Sequence, residues 1–164
     1  MHGKVLKYVI VESTGSGVVN GILNCAAAFL LFHGRGQVPI AGPVGLVRDS
    51  IGETFLVASL SYMTAALISR QRRRAGTLPT VGTGHASSPG NVYLWSLAVG
   101  IIFTCILVPM NALLLPRAFP NGVSFRNVML FKTLFGAVLG SIATCLAIRR
   151  ALNEVHPLSE GLTS

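Results

Sequence analysis

Residues 92–115 read VYLWSLAVGIIFTCILVPMNALLL, an apolar run with no charged side chain. A helix needs roughly 20 mainly apolar residues to cross the hydrocarbon core of a bilayer, and this run has that length. Three further stretches behave alike, at about 6–32, 51–69 and 127–148, so the sequence predicts four membrane-spanning helices. The composition agrees: half the residues (51%) are hydrophobic, 11% are charged and the mean hydropathy is +0.64. A soluble domain carries about 25% charged residues. The fold class is therefore an all-α integral membrane protein, a four-transmembrane-helix bundle forming a single domain over 1–164.

The basic residues set the expected orientation. Lys4, Lys7, Arg70, Arg72, Arg73, Arg74, Arg149 and Arg150 fall on one side of the spans, and Arg35, Arg48, Arg117 and Arg126 on the other. Lys and Arg are in excess in cytoplasmic loops, so both termini and the middle connection are expected in the cytoplasm, with a bacterial inner membrane as the location. Tyr8, Tyr93 and Trp95 lie at the same ends, where aromatic rings favour the headgroup level. The net charge of +8 is thus accounted for by topology, and nucleic acid is not an expected partner. The N-terminal run also has features of a cleavable signal peptide, with alanines at 26–28, but it continues apolar to Phe32.

Between the spans, 70–91 is rich in Gly, Ser, Thr, Pro and Arg and reads as a flexible linker. Its Arg70, Arg72, Arg73 and Arg74 form a candidate site for anionic lipid headgroups. Residues 151–164 read as a polar tail. The first outer loop contains VPIAGPVGLV at 38–47, too rich in Gly and Pro for a helix and expected at the outer interface.

The chain also reads as two tandem helical hairpins. With an offset of 79, Thr54, Ala58, Leu60, Leu67 and Arg70 meet Thr133, Ala137, Leu139, Leu146 and Arg149. Each second helix opens with a charge followed by Thr, at Glu53 and at Lys132. Each first helix carries an asparagine in its outer half, Asn24 and Asn111. Two hairpins of the same direction imply a pseudo-two-fold axis along the membrane normal.

Ionisable side chains inside spans are costly and mark sites or specific pairs. Glu53 and Lys132, opposite in charge at matching depth, are expected to pair, with Asn24 and Asn111 completing a polar cluster that serves as structural glue or as a binding site. Glu12, Ser16, Asn20 and Asn24 recur every four residues, which places them on one helix face. Such a stripe suits a solute path or a hydrogen-bonded helix interface. Gly17 and Gly21 on the first helix, with Gly136 and Gly140 on the fourth, form small-xxx-small patterns for close helix packing.

Catalytic signatures are lacking. The four histidines (His2, His33, His85, His156) lie outside the spans, and no metal-ligand spacing, phosphate loop or nucleophile motif occurs. Cys25, Cys105 and Cys145 each sit in an apolar run and read as small hydrophobes. No enzyme activity, metal or cofactor is expected. The expected function is a small transporter or channel component for a solute or ion; the alternative is a non-catalytic accessory or assembly subunit of a larger membrane complex. Either reading implies a homo-oligomer or a membrane-complex partner.

Overall fold

The computed structural model describes residues 2–78 and 91–154. Helix makes up 82% of the described residues. Four long helices are α1 (His2–Phe32), α2 (Leu46–Arg74), α3 (Val92–Ala118) and α4 (Phe125–Asn153); two short strands are β1 (Gln37–Val38) and β2 (Val123–Ser124). All four helices are long and apolar enough to cross a membrane, as expected for an integral membrane protein.

Local chemistry sets the helix ends. The Asn91 side chain accepts the Tyr93 amide at 3.0 Å and caps α3, and Ser124 Oγ accepts the Asn127 amide at 3.4 Å and caps α4. Such side-chain oxygens satisfy amides that lack a partner in the first turn. At the far end of α2, Gly76 adopts φ 70°. Its amide donates to the Arg73 carbonyl and that of Thr77 to the Arg72 carbonyl, the paired bonds of a glycine-terminated helix.

That stop corrects one expectation. Arg70, Arg72, Arg73 and Arg74 belong to the last turns of α2 and not to a linker. The rest of the expected linker, 79–90, lies outside the described residues, as do 155–164 of the expected tail. Residues 151–153 extend α4.

The outer loop also differs from expectation. It carries β1, turns at Gly42 (φ 99°) and delivers the chain to α2 five residues before the expected start at 51. The Leu46 and Val47 amides donate to the Pro39 and Ile40 carbonyls, so the loop itself satisfies the first turn of α2.

The two strands pair antiparallel, Gln37 with Ser124 and Val38 with Val123. This joins the α1–α2 and α3–α4 connections at one end of the molecule, called here the strand end. A core of Ala28, Phe32, Val38, Ile40, Leu46, Leu115, Val123 and Val128 fills that end. Tyr62, Ala66, Val92 and Ala147 form a smaller cluster toward the other end, with Val9, Ile148 and Leu152 beside it.

The helices are not packed as two side-by-side hairpins. α1 packs along α4, α4 along α2, and α2 along α3, whereas α1 barely touches α2. The order across the molecule is α1–α4–α2–α3. Each first helix therefore lies on the second helix of the other half.

Candidate functional site

α2 and α4 meet near the strand end, and three ionisable side chains converge there. Asp49 and Glu53 are four residues apart on α2 and share one helix face. Lys132 reaches them from α4: its Nζ donates to Glu53 Oε2 and pairs with Asp49 Oδ2. The side chains of Lys132 and Glu53 are 3% and 6% exposed, and that of Asp49 is 25% exposed. Glu53 Oε1 is enclosed and has no hydrogen-bond partner among the described residues.

Two carboxylates thus share one ammonium. A charge removed from water is costly unless paired. Lys132 is doubly paired, while the group of three carries an excess negative charge when all are ionised. Sequence reasoning missed Asp49, because it placed that residue in the loop. The i, i+4 spacing of Asp49 and Glu53 was the available signal.

The two asparagines expected in this cluster make no hydrogen bond to its charged groups among the described residues. Asn24 Nδ2 donates to the Asn20 carbonyl at 2.9 Å, and its side chain fills the space against Gly136. Asn111 is buried on α3, with Nδ2 unpartnered among the described residues. Neither hydrogen-bonds to Glu53 or Lys132. An offset of 79 pairs Asn24 with Phe103 and Asn111 with Phe32, so the asparagines do not occupy equivalent positions.

The stripe on α1 is consumed by helix packing. Ser16 Oγ is 2.7 Å from Thr144 Oγ1 on α4. Asn20 Nδ2 donates to Ser61 Oγ on α2 at 3.0 Å and to the Ser16 carbonyl at 2.8 Å. Glu12 pairs with Arg72 at 2.6 Å in an exposed setting. The glycines make the approach possible. A Cβ on Gly17 would lie 2.8 Å from the Ala137 carbonyl oxygen, and one on Gly21 would lie 3.0 Å from that of Thr133. Gly136 and Gly140 face Asn24 and Asn20 in the same way. The α1–α4 contact is therefore a close, hydrogen-bonded seam.

At the end opposite the strands, the arginines are also engaged internally. Arg70 donates to both Glu154 carboxylate oxygens, at 2.7 and 2.5 Å. Arg73 donates to the Ala151 and Glu154 carbonyls. Arg72 holds Glu12 and lies over the Tyr8 ring, and the Arg150 guanidinium stacks 3.5 Å from the Trp95 ring centroid. Of the four arginines expected to bind lipid headgroups, Arg70, Arg72 and Arg73 thus have protein partners, and Arg74 is exposed.

No group of three or more His, Cys, Asp or Glu side chains suited to a metal occurs among the described residues. No family model, no curated protein and no solved structure matches this chain.

Proposed function

We propose that this chain is a component of a small-ion transporter or channel and that Lys132, Asp49 and Glu53 form its ion-handling site. The observation that carries this reading is the stoichiometry: two carboxylates on one enclosed ammonium, with Glu53 Oε1 left unpartnered. A pair used only as glue is complete with one carboxylate. A second carboxylate in a poorly hydrated site calls for one more positive charge, a proton or a small cation. Asp49 is the most exposed of the three, and it borders a cavity that opens at the strand end. An ion arriving from that side meets Asp49 first and Glu53 behind it.

The chain packs as a row in which α1 contributes a closed seam, and four helices so arranged enclose no wide path. The reading therefore includes an oligomer. In this reading the arginine-rich end, with both termini, faces the cytoplasm of a bacterial inner membrane and the triad lies toward the outer face, which the excess of Lys and Arg at the arginine-rich end supports.

An internal repeat accompanies this reading. Glu53 and Lys132 are 79 residues apart, and so are Gly21 and Gly100, each of which lies against the second helix of the other half. Exchanging the halves turns the α1–α4 contact into the α3–α2 contact, as a pseudo-two-fold axis requires.

The test is flux into proteoliposomes followed with proton- and cation-sensitive dyes. Wild-type protein is expected to conduct, and Glu53→Gln and Lys132→Met to lose about tenfold or more, the effect of one charge-assisted contact. If both variants fold normally and keep full flux, the assignment is wrong. A constant hetero-complex with no flux of its own would favour an accessory subunit.

A further inference from the structure

A cavity of about 340 Å³ lies between the end of α1 and the start of α2, with Leu31, Phe32, Val44, Gly45, Arg48 and Asp49 in its walls. We propose that it seats the headgroup of an aminophospholipid, phosphatidylethanolamine, with the phosphate on Arg48 and the ammonium on Asp49.

The walls divide by chemistry. Leu31 and Val44 are 55% and 52% exposed at the rim, beside helices apolar enough to cross a membrane, so an acyl chain has an apolar track into the cavity. Arg48 is exposed and makes no hydrogen bond or ion pair among the described residues. A guanidinium binds phosphate oxygens in its fixed fork of donors. The cavity also borders Gly45, the residue that opens α2 without a side-chain cap, where the positive end of the helix dipole adds to the attraction for phosphate.

Asp49 supplies the opposite charge. Its Oδ2 pairs with Lys132, while a quarter of its side chain remains exposed. Oδ1 is left to accept from a primary ammonium. One cation and one anion on neighbouring residues complement a headgroup that carries phosphate and –NH₃⁺ close together. A glycerol headgroup brings no cation to Asp49, and a choline headgroup brings a cation without N–H donors. The seat shares Asp49 and this cavity with the proposed ion site, so headgroup and ion compete for one carboxylate.

Native mass spectrometry of the full chain in detergent tests the proposal, using ethanolamine, glycerol and choline phospholipids of identical acyl chains in equal amounts. The ethanolamine lipid is expected to be retained roughly tenfold more than either competitor, the worth of one charge-assisted hydrogen bond. Arg48→Gln, an exposed change, should lower retention of all three lipids while circular dichroism stays that of the wild type. Val44→Trp, which fills the cavity from its rim, should do the same without touching a charge. Asp49→Asn should keep phosphate-dependent retention but erase the preference for ethanolamine over choline. Equal retention of the three lipids by wild type, or an ethanolamine preference that survives both Arg48→Gln and Val44→Trp, overturns the seat. Binding of soluble phosphoethanolamine as tightly as the lipid overturns the lipid assignment.

Discussion

Lys132 on α4 and Glu53 on α2 stand 79 residues apart in the chain and bind each other across the contact between the two central helices. Asp49, one turn before Glu53, takes the same ammonium. Removing the lysine leaves the buried Glu53 and the partly exposed Asp49 side by side with no counter-charge. Breaking one side of a buried pair costs about 3–5 kcal/mol. Lys132→Met should therefore be the most destabilising single change at this site. The triple variant Asp49→Asn, Glu53→Gln, Lys132→Met should recover much of the loss, and chemical unfolding in detergent measures both.

The α1–α4 seam predicts a sharp contrast among glycines. Gly136→Val forces a side chain into the space held by Asn24 and the Asn20 carbonyl, and overpacking of this kind costs about 1–3 kcal/mol. Gly15 has nothing near its would-be Cβ. Gly15→Ala should be neutral or stabilising, by up to about 1 kcal/mol from helix propensity. Thermal unfolding of the two variants side by side gives the ordering.

Asn20 ties α1 to α2 through Ser61, although these helices otherwise barely meet. Interhelical hydrogen bonds in membranes average about 0.6 kcal/mol and reach about 1.7. A double-mutant cycle of Asn20→Ala and Ser61→Ala should return a coupling within that range. A coupling of zero would show that the bond does not contribute.

The two ion pairs opposite the strand end should differ in weight. Arg70–Glu154 is bidentate and its carboxylate is 6% exposed, whereas Arg72 and Glu12 are 46% and 31% exposed. Exposed pairs contribute about 0–1 kcal/mol and weaken with salt. Glu154→Ala should speed amide exchange in the last turn of α4 at all salt concentrations, and Glu12→Ala should have a small effect that fades above physiological ionic strength.

The four spans were legible because length and hydropathy suffice for them. Their neighbours were not. A helix that is apolar on every side carries no facing signal in its periodicity, so only the small and polar residues of α1 and α4 hinted at who packs on whom. Loop connections invited a hairpin reading, while the contacts join α1 to α4. Asp49 was lost for a different reason: α2 begins at Leu46 because carbonyls of Pro39 and Ile40 receive its first amides, a tertiary event that Gly and Pro content conceals. Composition alone reads the arginines after Ser69 as a linker, though Gly76 marks where a helix can stop. Asn24 and Asn111 match by residue type but not at the offset of 79 that separates Glu53 from Lys132.

The exchanged packing also dictates when the molecule can be finished. Ser16 meets Thr144, 128 positions further along the chain, so α1 is made long before its partner. Until α4 arrives, the polar face of α1 has only α2 to bond with, through Asn20–Ser61 and Glu12–Arg72. Maturation must therefore wait for the last helix, because the Ser16–Thr144 bond and the close approach at Gly17 and Gly21 both need α4.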